Sequence, residues 1–475
     1  MSIKEKHLEY IESDITDSLE KLKETIKLDD SGSCWHKDEV YKSIDIQIEI
    51  EKTKSTDEKL SQPLSGLTIG VKDLFCVKGM TTTAGSKILE DFKSPYDSTV
   101  WDSLKSKGTI LSAKCSMDEF AMGSFSHTSF LGRTCIPGKL DYSAGGSSGG
   151  SAASILAGLC DFSIGSDTGG SVRQPASFCG LVGYKPSYGA FSRFGMISYA
   201  SSLDQAGFFT KTIKDLQYVL SSQIAYRDKH DMSCVGLGEY IKTDKTIKKV
   251  GYFKEILEHS GIEESVKIAY KKTLDELEKS GIELSPVKIE YMDKAAEIYY
   301  IIACSEASSN LSRYQGVYFG KKLIDEEKFD SYAETISHYR SKYLGIEVQK
   351  RIMLGSFILS AENFTAMYQK ACLMREALKT SLNDALSKVD TLVLPVSPTV
   401  ALKWSEIELM TSAQIYMADF MTVPFSLAGV PAISLPWEKD LDGMDIGMQF
   451  IGKQFSDFEL IDSLSFLEKT IGKGV

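Results

Sequence analysis

The chain has 475 residues, 43% of them hydrophobic and 25% charged, proportions that exclude disordered and fibrous classes and supply a large core. Its net charge is −11, and only eight of its 54 basic residues are arginine. That balance argues against unaided binding of nucleic acid, which rests on clustered Lys and Arg neutralising phosphates.

Nine cysteines, at positions 34, 76, 115, 135, 160, 179, 234, 304 and 372, are scattered without a C-x-x-C pair. This is a reduced, intracellular pattern with neither a disulfide frame nor a zinc site. The six histidines are isolated, so no metal is expected in this chain. The opening residues carry no signal or transit pattern, and no apolar run is long enough to span a membrane. A cytoplasmic protein is expected.

Taken in chain order, Leu8, Ile11, Ile15, Leu19, Leu22 and Ile26 recur at helical spacing and predict one helix, ended by the Asp29-Asp30-Ser31-Gly32 cluster. We place this helix in an N-terminal helical segment, residues 1–60, docked on a main body at 61–475, with docking on a partner as the alternative. Residues 51–63 read as a charged surface connection. LTIGVKDLF (67–75) predicts a buried strand running into a loop. KKVGYF (248–253) and IELSPV (282–287) predict strands flanking a helix marked by Val266, Ala269, Leu274 and Leu277. TLVLPVS (391–397) and AISLPWE (432–438) are further strands, with a helical pattern over 360–388, while 227–247 reads as a surface loop. Strands alternating with helices predict an α/β sheet covered on both faces.

Between 145 and 189, 11 of 45 residues are Gly and nine are Ser. Backbone rather than side chain must carry the packing or chemistry there. GGSSGG alone could be a flexible linker or a nucleotide cradle. The apolar stretch SILAGLCDFSIGS that follows argues for a packed site, and neither G-x-x-x-x-G-K-[ST] nor G-x-G-x-x-G occurs.

Together, VKDLF (71–75), AGGSSGGSAAS (144–154) and GSDTGGSVRQPASFCG (165–180) resemble the amidase-signature family of serine hydrolases. The resemblance implies an α/β/α architecture with a large mixed central sheet. It also implies a Ser-Ser-Lys triad in which Ser171 is the nucleophile, Ser147 the bridge and Lys72 the base, with a cis bond at Gly146-Ser147. The backbone N–H groups of Thr168, Gly169 and Gly170 would meet the developing oxyanion, where one donor is worth about 3–4 kcal/mol.

The chemistry is consistent with these roles. A serine hydroxyl is a weak nucleophile and needs a base. No histidine lies near these segments, and Lys72 can serve if burial leaves its amine neutral. Otherwise it is an ordinary strand-end lysine. Ser147 can both donate and accept a proton. Asp167 and Arg173 read as structural supports, holding the turn by charge-assisted hydrogen bonds, a direct substrate role being the alternative.

Longer blocks narrow the resemblance. MDEFAMGS (117–124), residues 177–207, EASSNLSRYQGVYFG (306–320), KRIMLGSFILSA (350–361) and residues 416–436 are similar to the glutamine-hydrolysing subunits of tRNA-dependent amidotransferases. That likeness implies that Arg351 holds glutamine's α-carboxylate and Asp419 its α-ammonium, a surface ion pair being the ordinary alternative. It implies a heterotrimer with B and C subunits, tRNA contacted mainly through the partner, and ATP and Mg at the partner, with no cofactor in this chain. A stand-alone amidase acting on another amide and a catalytically silent scaffold are the alternatives. Ala144 stands where the family usually has Pro, and RYQGVYFG where RYDGVRYG is usual.

Overall fold

The computed structural model describes residues 1–316, 319, 321 and 331–471; positions 317, 318 and 320 of the 306–320 block lie outside them. In chain order the strands are β1 (Cys34–Trp35), β2 (Thr68–Lys72), β3 (Ile110–Cys115), β4 (Cys135–Ile136), β5 (Lys139–Ser143), β6 (Phe162–Asp167) and β7 (Val182–Lys185). They continue as β8 (Gln205–Thr210), β9 (Lys249–Tyr252), β10 (Glu283–Pro286), β11 (Thr391–Pro395), β12 (Ala432–Lys439) and β13 (Asp445–Ile451). β4 and β5 form a small ribbon, and the other eleven build one sheet in the order β1-β3-β2-β6-β8-β7-β12-β13-β11-β9-β10.

The sheet is mixed. β3, β2 and β6 run parallel at one end, β11, β9 and β10 at the other, and the strands between them are antiparallel. Every residue of β2, β3 and β6 is buried, as expected for parallel strands covered on both faces. That is why LTIGV reads as a continuous apolar run. The α/β expectation is met, with the predicted strands at 68–72, 249–252, 283–286, 391–395 and 432–439 all in place. No helix among the described residues is long and apolar enough to cross a membrane.

Three local expectations are corrected. The single N-terminal helix is two, Ile3–Glu12 and Thr16–Leu28. Asp14 Oδ1 accepts from Thr16 N at 2.9 Å, a local bond that competes with helix continuation, and Leu8 is left half exposed. The connection at 51–63 is largely helical, because Ser55 and Glu58 close a capping box that starts the helix Thr56–Ser61. The helical pattern over 360–388 begins only at Thr365, with a π-type turn before the helix Lys370–Ser387.

Candidate active site

The Lys72 amine is positioned by β2, whose last residue it is. The side chain is fully buried, and its Nζ lies 2.8 Å from Ser147 Oγ, 2.7 Å from Ser148 Oγ and 2.9 Å from Ser166 Oγ. Burial pulls its pKa down to about 7, against the opposing pull of Asp118, Asp167 and Asp204. Ser148 Oγ already donates to the Ser166 carbonyl at 3.1 Å, so it must accept from the lysine. A neutral amine then gives its two N–H groups to Ser148 and Ser166 and keeps its lone pair for the Ser147 hydroxyl.

Ser147 follows a cis peptide bond from Gly146. Gly146 N–H donates to Gln174 Oε1 at 2.9 Å. Ser148 N–H donates to the Ser171 carbonyl at 3.2 Å, which joins the two serine loops. No hydrogen bond links the Ser147 and Ser171 hydroxyls among the described residues, and Ser171 is 8% exposed.

The loop after β6 is shaped by its glycines. Gly170 has φ +152°, and a Cβ there would lie 2.3 Å from Thr422 Oγ1; one on Gly169 would lie 2.7 Å from the Tyr299 ring. Among the described residues, the N–H groups of Thr168, Gly169, Gly170 and Ser171 meet no protein acceptor. Four consecutive unpartnered amides in a buried loop are a ready cradle for an anionic oxygen.

Arg173 braces this loop. Asp167 takes its Nε and Nη2 at 3.0 Å each, and the remaining N–H groups go to Thr422 O, Gln449 Oε1 and Ser426 Oγ. All five donors of this buried guanidinium are filled.

Arg351 differs. It lies on the helix Ile346–Ile358, buried among the rings of Tyr199, Tyr300 and Tyr416. Its Nε donates to Glu347 at 2.8 Å and one Nη1–H to Tyr199 Oη at 2.9 Å; the other three donors find no acceptor among the described residues. Asp419 is buried nearby, with one oxygen taking the Ser124 hydroxyl at 2.9 Å. Burial pushes its pKa up to about 7. Arg351 and Asp419 form no ion pair with each other, so the surface-pair alternative does not describe them. Thr422 Oγ1 lies within hydrogen-bonding distance of the carbonyls of both Gly169 and Asp419, either of which can take its single proton, which sets Asp419 one hydroxyl away from the 168–171 loop.

A family model described as Amidase matches residues 19–461. The chain belongs to the amidase family. Among its relatives, the A subunit of glutamyl-tRNA(Gln) amidotransferase of Prochlorococcus marinus (strain NATL2A) is 41% identical over 436 residues, 90% of this amidase and 89% of the relative. The crystal structure of the A subunit of glutamyl-tRNA(Gln) amidotransferase from Thermotoga maritima superposes with a TM-score of 0.72 at 37% identity, covering 86% of this chain and 83% of that one. Another amidase crystal structure gives 0.80 at 27% identity, over 99% of both chains.

Sequence reasoning missed several residues of the amidase site. Ser148 and Ser166 hold Lys72 but are two among many serines in their block. Asp118 accepts from Ser126, His127 and Thr128 amides, and its charge opposes the downward pull of burial on Lys72. The Tyr199, Tyr300 and Tyr416 cage carries no periodic signal, since its members come from three separate elements. Among the described residues, no group of His, Cys, Asp and Glu is arranged to hold a metal ion.

Proposed function

We propose that this amidase is the glutamine-hydrolysing subunit of a tRNA-dependent amidotransferase. The observation that carries the reading is the contrast between two buried arginines, Arg173 with every donor filled and Arg351 with three open. A buried guanidinium with open donors calls for an anionic ligand. Beside it, the buried Asp419, which burial brings to about 7, suits an ammonium once its carboxyl is ionised. Together they match the two ends of a free α-amino acid, and the amidotransferase relatives support glutamine as that amino acid.

In this mechanism Ser171 Oγ attacks the side-chain carbonyl carbon of glutamine. Its proton passes to Ser147 as the Ser147 proton passes to Lys72. The oxyanion is met by the amides of Thr168, Gly169 and Gly170. The proton returns through Ser147 to the leaving nitrogen, the C–N bond breaks and ammonia departs. Water then attacks the acyl-enzyme by the same relay and releases glutamate.

The ammonia passes to a B subunit, which binds tRNA and uses ATP and Mg to activate the misacylated Glu-tRNA(Gln) or Asp-tRNA(Asn). A small C subunit steadies the pair, in the cytoplasm. The net charge of −11 fits a chain that leaves tRNA to its partner.

Ser171→Ala should abolish glutamine-dependent transamidation by the purified complex while added ammonium still supports it. Loss of both activities would count against this division of labour.

A further inference from the structure

We propose that Glu119 is a positioning residue for Arg351, so that the loop 118–128 sets the preference for an amide substrate bearing an α-carboxylate. The inference rests on the glutamine reading above and names a residue outside the triad and the substrate anchors.

Glu119 is buried at 2% exposure, far from the first turn of the Arg351 helix in sequence but against it in space. Its Oε2 accepts the N–H of Gly345 at 2.8 Å, and its Oε1 accepts the Ser86 hydroxyl at 2.5 Å. Gly345 is the N-cap of the helix Ile346–Ile358 and has no side-chain cap of its own. The Glu119 carboxyl therefore supplies from another element the acceptor that a helix start needs. The approach is close: a Cβ on Gly345 would stand 2.1 Å from Glu119 Oε2.

What this contact positions follows from the helix itself. Glu347, two residues past the cap, holds Arg351 Nε one turn later at 2.8 Å. Fixing the cap thus fixes the carboxylate that aims the guanidinium. The same loop grips the other substrate anchor, because Ser124 donates to Asp419 at 2.9 Å. It also touches the loop of the bridging serine, because Gly149 N–H, two residues beyond Ser147, donates to Ser126 Oγ at 3.1 Å.

The backbone around Glu119 is not relaxed. Phe120 and Ala121 both lie in the left-handed region, at φ 49° and 60°. Two adjacent non-glycine residues there are costly, and such strain persists where the surroundings overdetermine it. No cation pairs with Glu119 among the described residues, and burial pushes it up to about 7. A glutamine at 119 would keep the acceptor for Gly345.

The test compares glutamine with 4-aminobutanamide, which is glutamine without its α-carboxylate, using the chain purified with whatever subunits accompany it. Glu119→Ala and Gly345→Ala break the contact from opposite sides, so one remains informative if the other fails to fold. Each should raise KM for glutamine about tenfold with kcat held within about twofold. Neither should lower kcat/KM for 4-aminobutanamide, and Glu119→Gln should behave as the parent on both substrates. A parallel fall on both substrates would show a merely structural role and overturn the proposal, as would no fall on either. Arg351→Met, measured alongside, separates the two failures. If it leaves the preference for glutamine intact, the glutamine reading is wrong. If it abolishes the preference while both contact variants keep it, the coupling through Glu119 is wrong.

Discussion

Burial brings both Lys72 and Asp419 to about 7 from opposite directions, and in the proposed mechanism each acts after losing its proton. Lys72 must be a neutral amine to take the Ser147 proton, and Asp419 must be a carboxylate to hold the substrate ammonium. In the free enzyme both protons have to be off, so log kcat/KM for glutamine should fall with a slope of about two as the pH drops below about 7. Once glutamine is bound, its ammonium keeps Asp419 ionised, and log kcat should fall with a slope of about one. Asp419→Asn should lower kcat/KM and reduce its slope by one, leaving the slope of kcat alone. Steady-state kinetics across about pH 5.5 to 8 would check this. Equal slopes for kcat and kcat/KM in the parent would remove Asp419 from substrate binding.

At the scale of elements, Arg173 fastens three pieces of chain. It joins the end of β6 through Asp167, the helix Val423–Ala428 through Ser426, and β13 through Gln449. Replacing it with alanine leaves the Asp167 carboxylate buried and unpaired, which costs about 3–5 kcal/mol. Urea denaturation of Arg173→Ala should show a midpoint lowered accordingly, and an unchanged midpoint would mean that the brace is redundant. Much of this region is legible in the sequence. A parallel strand covered on both faces writes an unbroken apolar run, as at 67–71, and a loop that must admit both a substrate and neighbouring side chains writes glycine, as at 169 and 170. What sequence cannot supply is the outcome of competition between partners. Asp14 captures the Thr16 amide instead of lying along a continuous helix. Arg173 and Arg351 are the same residue type, and only the filled or open state of their donors separates the brace from the proposed binding group. Ser148, Ser166 and Glu119 are invisible for a similar reason, since each takes its meaning from a partner that is distant in the chain or one serine among many.

At the scale of the whole molecule, residues 1–60 are stitched into the sheet. Trp35 and Cys34 form the edge strand β1 against β3, an element absent from a reading of this segment as helical. Ile15, Leu19, Ile26, Val40, Ile44 and Ile48 share one continuous core with residues of β2 and β3. Polar ties run across the same seam. Ile3 N–H donates to Asp215 at 2.8 Å, and His36 Nε2 stands 3.5 Å from Asp73, the residue after Lys72. Removing the segment would uncover the β3 edge and the apolar face beneath it, a surface that no folded remainder could leave to water without aggregating. We therefore propose that 1–60 and 61–475 unfold together, as one cooperative unit. Scanning calorimetry of the intact chain should give a single endotherm, with glutaminase activity lost across the same temperature interval. An early transition that melts the N-terminal helices while glutamine hydrolysis persists would show that the segment is an independent appendage.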